Sequence, residues 1–226
     1  MTNPWDKIFE NNFEAAYVIA DHNYSQTSQD FDLRARAICL LLLQRYNDSL
    51  SDFLKLSSNE KQTNRTSDGT YMHIALCYYA MGKNDKAVEY FKFPVINRKQ
   101  IKYTSDISVP SIVLLFIGSQ LDKQDLTETA TKELRRISKY NIAAPSYLLG
   151  LNTEEDLDKQ VLEQTDGTLR NRRQCKNEFY KAIASFQNGD TKKYKEHIKT
   201  CVKLTGKYLE FEYYLARIEF DKLNYC

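Results

Sequence analysis

The 226-residue chain is 42% apolar and 12% aromatic, which excludes wholesale disorder and suffices for one substantial domain or one short solenoid. Seven glycines and four prolines are few for the turn punctuation of sheets and barrels, so the composition points to helices. The formal charge of +2 conceals an acidic start, residues 1–33 with six acids against Lys7, and a basic stretch, residues 170–207 with eleven bases against three acids. These ends read either as solvated helix faces or as steering for a charged partner.

In chain order, Asn3-Pro4 predicts a helix start, and Trp5, Ile8, Phe9, Phe13, Ala16, Tyr17 and Ala20 recur at helical spacing over 4–21. His22 to Asp30 is polar and loop-like. A helix pair follows over 30–57; its first member is apolar nearly all round between Ala37 and Leu43, which a helix tolerates only when both faces are covered. Ser57 to Gly69 has no apolar side chain and reads as a linker, either mobile or a contact, with mobility favoured. The next pair, over 70–94, turns at Gly82, and Pro94 is expected to end it. Residues 94–110 show no clean period. A third pair spans 111–140, with Asp125 as the expected cap of its second helix. Residues 141–174 break the pattern: Pro145 to Leu151 is a short apolar run, Thr153 opens a helix with an acidic first turn, and Asp166-Gly167 ends it. A fourth pair covers 176–205, and an amphipathic helix over 207–223 closes the chain.

In the second pair, Tyr71, Ile74, Ala75, Tyr78, Gly82, Ala87 and Phe91 carry a large-small-aromatic-small spacing that resembles a tetratricopeptide repeat. Partial copies stand at Leu33, Ala37, Leu40, Ser49, Phe53 and Leu56, with Arg36 off pattern, and at Leu114, Ile117, Gly118, Leu121, Ala130, Leu134 and Ile137. A fainter copy keeps Ala182, Gly189, Ile198 and Cys201 but puts Tyr194 where the small residue belongs. Pro94 also departs from the family. The resemblance implies an all-α single domain over 1–226, a right-handed superhelix of helical hairpins shielded by terminal helices.

Such a family is a binding platform, and its groove-facing positions carry over to Arg34, Ile38, Met72, His73, Leu76, Tyr79, Phe116 and Ser119, then Lys176 and Tyr180. The Lys/Asn clamp with which some relatives grip a terminal carboxylate is absent, since apolar and aromatic residues take its place. The groove is therefore either filled by the chain's own helices or open to a hydrophobic segment, and His73 is either a groove or a core residue. Arg170, Arg172, Arg173 and Lys176, with aromatics interleaved, also suit a nucleic-acid backbone.

No His-Glu-x-x-His, Gly-x-Ser-x-Gly or glycine-rich phosphate loop is present, so no catalysis, cofactor or metal is expected. Five widely spaced cysteines without Cys-x-x-Cys argue against a disulfide framework or zinc site, and a start without a basic-apolar leader suggests the cytoplasm. The resulting expectation is a protein-binding module, most concretely a bacterial immunity protein that neutralises a toxin. The alternatives are a scaffold that binds peptide segments and an RNA-binding helical repeat using 170–195.

Overall fold

In a computed structural model of the chain, the structure describes residues 3–104, 106–140, 142–204, 208 and 210–225. The fold is all-α: thirteen α-helices and one 3₁₀ turn among the described residues, packed largely in chain order. Two compact units divide it, Met1–Ser105 and Asp106–Cys226. The first holds α1 (Pro4–Phe9), α2 (Phe13–Thr27), α3 (Asp30–Leu42), α4 (Tyr46–Gln62), α5 (Asp68–Ala80) and α6 (Asn84–Ile96), then a 3₁₀ turn at Arg98–Gln100. The second holds α7 (Val109–Gln120), α8 (Gln124–Ser138), α9 (Ala143–Leu148), α10 (Glu154–Leu162), α11 (Gly167–Gln187), α12 (Thr191–Lys203) and α13 (Phe211–Tyr225).

One turn recurs. At α1/α2, α3/α4, α5/α6, α7/α8 and α11/α12, the residue after the helix cap takes a left-handed backbone, at Asn11, Gln44, Gly82, Asp122 and Gly189. Its own N–H bonds the carbonyl three residues back, and the next N–H reaches five back, as in Gly82 N to Tyr79 O (3.0 Å) and Lys83 N to Tyr78 O (2.9 Å). This double bond pattern satisfies the orphan carbonyls of the helix end and turns the chain into the next helix after one further residue. The hairpins expected over 30–57, 70–94, 111–140 and 176–205 correspond to α3/α4, α5/α6, α7/α8 and α11/α12.

Several boundaries differ from the sequence reading, for identifiable reasons. The helix expected over 4–21 breaks at Asn11-Asn12, where the Asn12 side chain accepts from Ala15 N and starts α2. The polar segment 22–27 is helical because α3 holds it: Arg36 lies 4.6 Å over the Tyr24 ring and bonds Asp21 at 2.7 Å. Within Ser57–Gly69, α4 continues to Gln62 and the remainder is tied down, with Lys102 N donating to Thr66 O (2.8 Å) and Asp68 N to Tyr103 O (3.1 Å). Pro94 does not end its helix. α6 runs on to Ile96, because Phe91, Pro94 and Val95 are buried and their packing outweighs the hydrogen bond that proline removes. Asp125 lies inside the first turn of α8, whose cap is Lys123. The expected start of the last helix at residue 207 lies outside the described residues, as does Cys226.

α5 and α7 form the centres of the two units. α5 is buried continuously from Asp68 to Cys77, and α7 from Val109 to Gly118. α5 lies on α4 and α6; α7 lies on α8 and meets α11 through a Phe116–Phe179 edge contact at 5.0 Å. Gly118 lets α7 and α8 approach closely: a β-carbon there would stand 2.9 Å from Thr127 Cγ2 and 3.0 Å from Thr127 N.

Gly118→Ala is therefore expected to destabilise the protein by about 1–3 kcal/mol in urea unfolding, as overpacking does. In an open helix the same change stabilises by about 1 kcal/mol, so a gain in stability would refute the close approach.

Candidate functional site

Most residues expected to face a groove are enclosed. Ile38, Met72, Leu76, Tyr79 and Phe116 are buried. His73 is 8% exposed, stacks on Phe53 with ring centroids 4.6 Å apart, and holds its Nδ1 2.7 Å from Gly69 O. That carbonyl can only accept, so Nδ1 carries the hydrogen. Burial, with the Arg34 charge adding to it, pushes the imidazole down to about 3, and His73 is a neutral core residue. Arg34 is engaged internally: its Nη2 donates to Glu60 Oε1 (2.7 Å) and Thr70 Oγ1 (3.1 Å), while Thr70 Oγ1 and Ser67 N donate to the same carboxylate. That cluster joins α3, α4 and α5. Ser119 is partly exposed and accepts from Gln187 Nε2 at 3.2 Å.

The basic run on α11 fares differently, because it borders a cleft of about 210 Å³. Its walls come from the segment before α7 (Asp106, Ser108), the start of α9 (Ile142, Ala143, Ala144), α10 (Leu157, Gln160) and α11 (Arg173, Lys176, Asn177, Tyr180). α10 is positioned from both ends. Thr153 and Asp156 form a reciprocal capping box at its start. At its end Arg170 donates to Gln164 O from Nε (2.9 Å) and Nη2 (2.6 Å), and Arg173 Nη1 donates to Gln160 O (3.0 Å). Cations on terminal carbonyls suit the negative end of the helix dipole. Asn177 Nδ2 adds a bond to Leu157 O at 2.8 Å.

Bordering the cleft is a partly buried charge network, with buried Glu210 and Glu212, whose carboxylates the sequence reading missed. Arg172 Nε donates to Glu210 Oε1 (2.5 Å), Lys176 Nζ lies 2.9 Å from Asp106 Oδ2 and 4.0 Å from Glu210 Oε2, and Tyr180 OH donates to Glu212 Oε1 (2.5 Å). Glu212 is fully buried, and among the described residues its Oε2 has no hydrogen-bond partner. Burial raises the Glu212 carboxyl, against the pull of Lys176. Burial alone would lower Lys176, but Glu212, Asp106 and Glu210 outweigh it and hold the ammonium above its ordinary range. Burial, then the nearby Glu212 charge, pushes the Tyr180 phenol far up. Lys176 and Tyr180 are thus hydrogen-bond donors at neutral pH, not bases or nucleophiles. Glu210 and Glu212 left no local signal, because their partners stand more than thirty residues upstream and side-chain pairing rules reach only three or four.

The arrangement gives a polar cleft whose cations are already engaged within the chain. Among the described residues no group of His, Cys, Asp and Glu is placed to hold a metal, and no helix is long and apolar enough to cross a membrane.

Two tests follow from these geometries. The folded pKa of His73 lies below its ordinary value, so the unfolded chain binds the proton better. Its contribution is full above pH 6.5 and drains as pH falls towards 3. The difference in stability between wild type and His73→Leu should therefore shift in favour of the variant as pH drops from 6.5 to 4; a constant difference would remove His73 from the neutral core. Lys176→Met leaves Asp106, Glu210 and Glu212 without their shared counter-ion; because the Lys176–Asp106 pair is partly exposed, the cost at neutral pH should fall below the ~3 kcal/mol of a fully buried pair. In that variant the Glu212 carboxyl, already raised by burial, loses the opposing pull of Lys176 and rises further, so the deficit should shrink as pH falls towards 5. Adding Glu212→Gln should restore part of the loss, and strict additivity of the two substitutions would show that they do not interact.

Compared with protein-family models the chain matches none, and no curated protein matches its sequence.

Proposed function

We propose that the chain is a non-catalytic protein-binding module built of tetratricopeptide-like hairpins, and that residues 139–173 form its contact region. The observation that carries this reading is where apolar surface is left uncovered. In the second unit Leu162 is 79% exposed, Tyr140 and Leu151 are each 68%, and Leu169 is 44%. Tyr140 and Leu151 lie on the connections either side of α9, Leu162 ends α10 and Leu169 stands in the first turn of α11, around the stretch where the hairpin pattern is interrupted and the cleft is built. Large apolar side chains beside engaged cations suit the buried centre and polar rim of a protein interface. The recurring turn, the small Ala87 buried in α6 and the close approach at Gly118 support the repeat-like reading. The concrete form proposed is a cytoplasmic immunity protein whose partner is a toxin domain.

The basic run supports nucleic-acid binding less well. Arg170 and Arg173 bond backbone carbonyls, Arg172 and Lys176 meet Glu210 and Asp106, and Lys181 lies 2.5 Å from Asp158, so phosphates would have to displace internal partners.

The test is a pull-down from the native host with tagged wild type and with Leu162→Asp/Leu169→Asp, washed at high salt and read by mass spectrometry. A stoichiometric protein retained by the wild type and reduced at least about tenfold by the variant, equivalent to about 1.4 kcal/mol, is the expected result. A partner retained equally by both would exclude this region, and RNA lost in the salt wash would favour the nucleic-acid reading.

A further inference from the structure

The cysteines of the second unit are adjacent in space although widely separated in sequence. Cys175 in the middle of α11 and Cys201 near the end of α12 are 26 residues apart in sequence, yet their sulfurs lie 3.0 Å from each other, and both side chains are fully buried. The turn at Gly189 folds α12 back along α11, so the two thiols face each other across the helix interface. Closing the gap by about 1 Å would reach a disulfide length of about 2.05 Å. We propose that Cys175 and Cys201 form a reversible disulfide, with hydrogen peroxide as oxidant, that clips α11 to α12.

The chemistry balances in two steps. One sulfur attacks a peroxide oxygen, the O–O bond breaks, and a sulfenic acid and one water form. The second sulfur then attacks the sulfenic sulfur, the S–S bond forms, and the hydroxyl leaves with the second thiol proton as another water. Each thiol loses one proton and one electron, and peroxide is reduced to two waters. In the first unit the Cys77 sulfur is engaged with Ser49 Oγ at 3.5 Å, and burial pushes the Cys39 and Cys77 thiols up to about 12. The clip would fix the helix that carries Arg173, Lys176, Asn177 and Tyr180, the α11 wall of the cleft.

The full chain is treated with peroxide twice, once folded and once during refolding from urea, so that slow entry of oxidant into the core is separated from failure to bond. After peroxide is removed, the protein is unfolded, labelled with N-ethylmaleimide and digested. The expected product, in either treatment, is a Cys175–Cys201 linked peptide with Cys39 and Cys77 still labelled, and with labelling of the pair restored by dithiothreitol. The linked protein should melt at a higher temperature than the reduced one, while peroxide should leave the melting temperature of Cys201→Ala unchanged. Full labelling of both cysteines after both treatments, or their recovery as sulfinic acids or in other pairings, would overturn the proposal.

Discussion

The left-handed residue that ends so many of these helices is the constraint from which the architecture follows. Two N–H groups turn back onto the last helical carbonyls, and the next helix begins one residue later. A connection this short leaves the following helix little choice but to return alongside its predecessor. Sequential contact then becomes the rule. The almost wholly buried helices α5 and α7 are tolerated because each is enclosed by its neighbours within a unit.

Charged side chains lock the helices that the turns have placed. Arg36 holds Asp52 with two bonds of 2.8 and 2.7 Å and Asp21 with a third of 2.7 Å, spanning α2, α3 and α4. Arg34 and Glu60 do the same for α3, α4 and α5, and Arg172 with Glu210 joins α11 to the segment leading into α13. Fork-shaped guanidinium groups suit this work, because one side chain satisfies acceptors from two other helices at once. Residues that stand out in a linear reading as candidates for an external partner are thereby internal fasteners.

How much of this was legible in the sequence depends on the reach of each signal. Local signals worked: Asn3-Pro4 capped α1, Gly82 ended α5, and Thr153 opened α10. Turns made without glycine were harder. Asn11, Gln44 and Asp122 adopt the same backbone as Gly82 and Gly189, but Gln44 in particular gives no compositional warning, since its conformation is imposed by the two helices it joins. Segments 22–27 and 57–62 looked like loops because their residues are polar, and they are helical because Arg36 and Glu60 find partners on other helices. For the candidate site, the sequence located the cations of α11 but not their carboxylates or the walls contributed by α9 and α10. Those depend on pairings between residues far apart along the chain, which periodicity does not encode.

The arginine caps on α10 have a bearing on how the cleft can respond. Arg170 and Arg173 belong to one helix, yet they terminate the one before it, so the order of α10 is coupled to the freedom of two side chains, of which Arg173 lines the cleft. α10 spans only nine residues and has little intrinsic stability. An anionic group that drew either arginine away would uncap it and release its last turn. Capture of an anion there and local unfolding of α10 would then be two sides of a single equilibrium, since the groups that hold the short helix closed are those an acidic visitor would seek first.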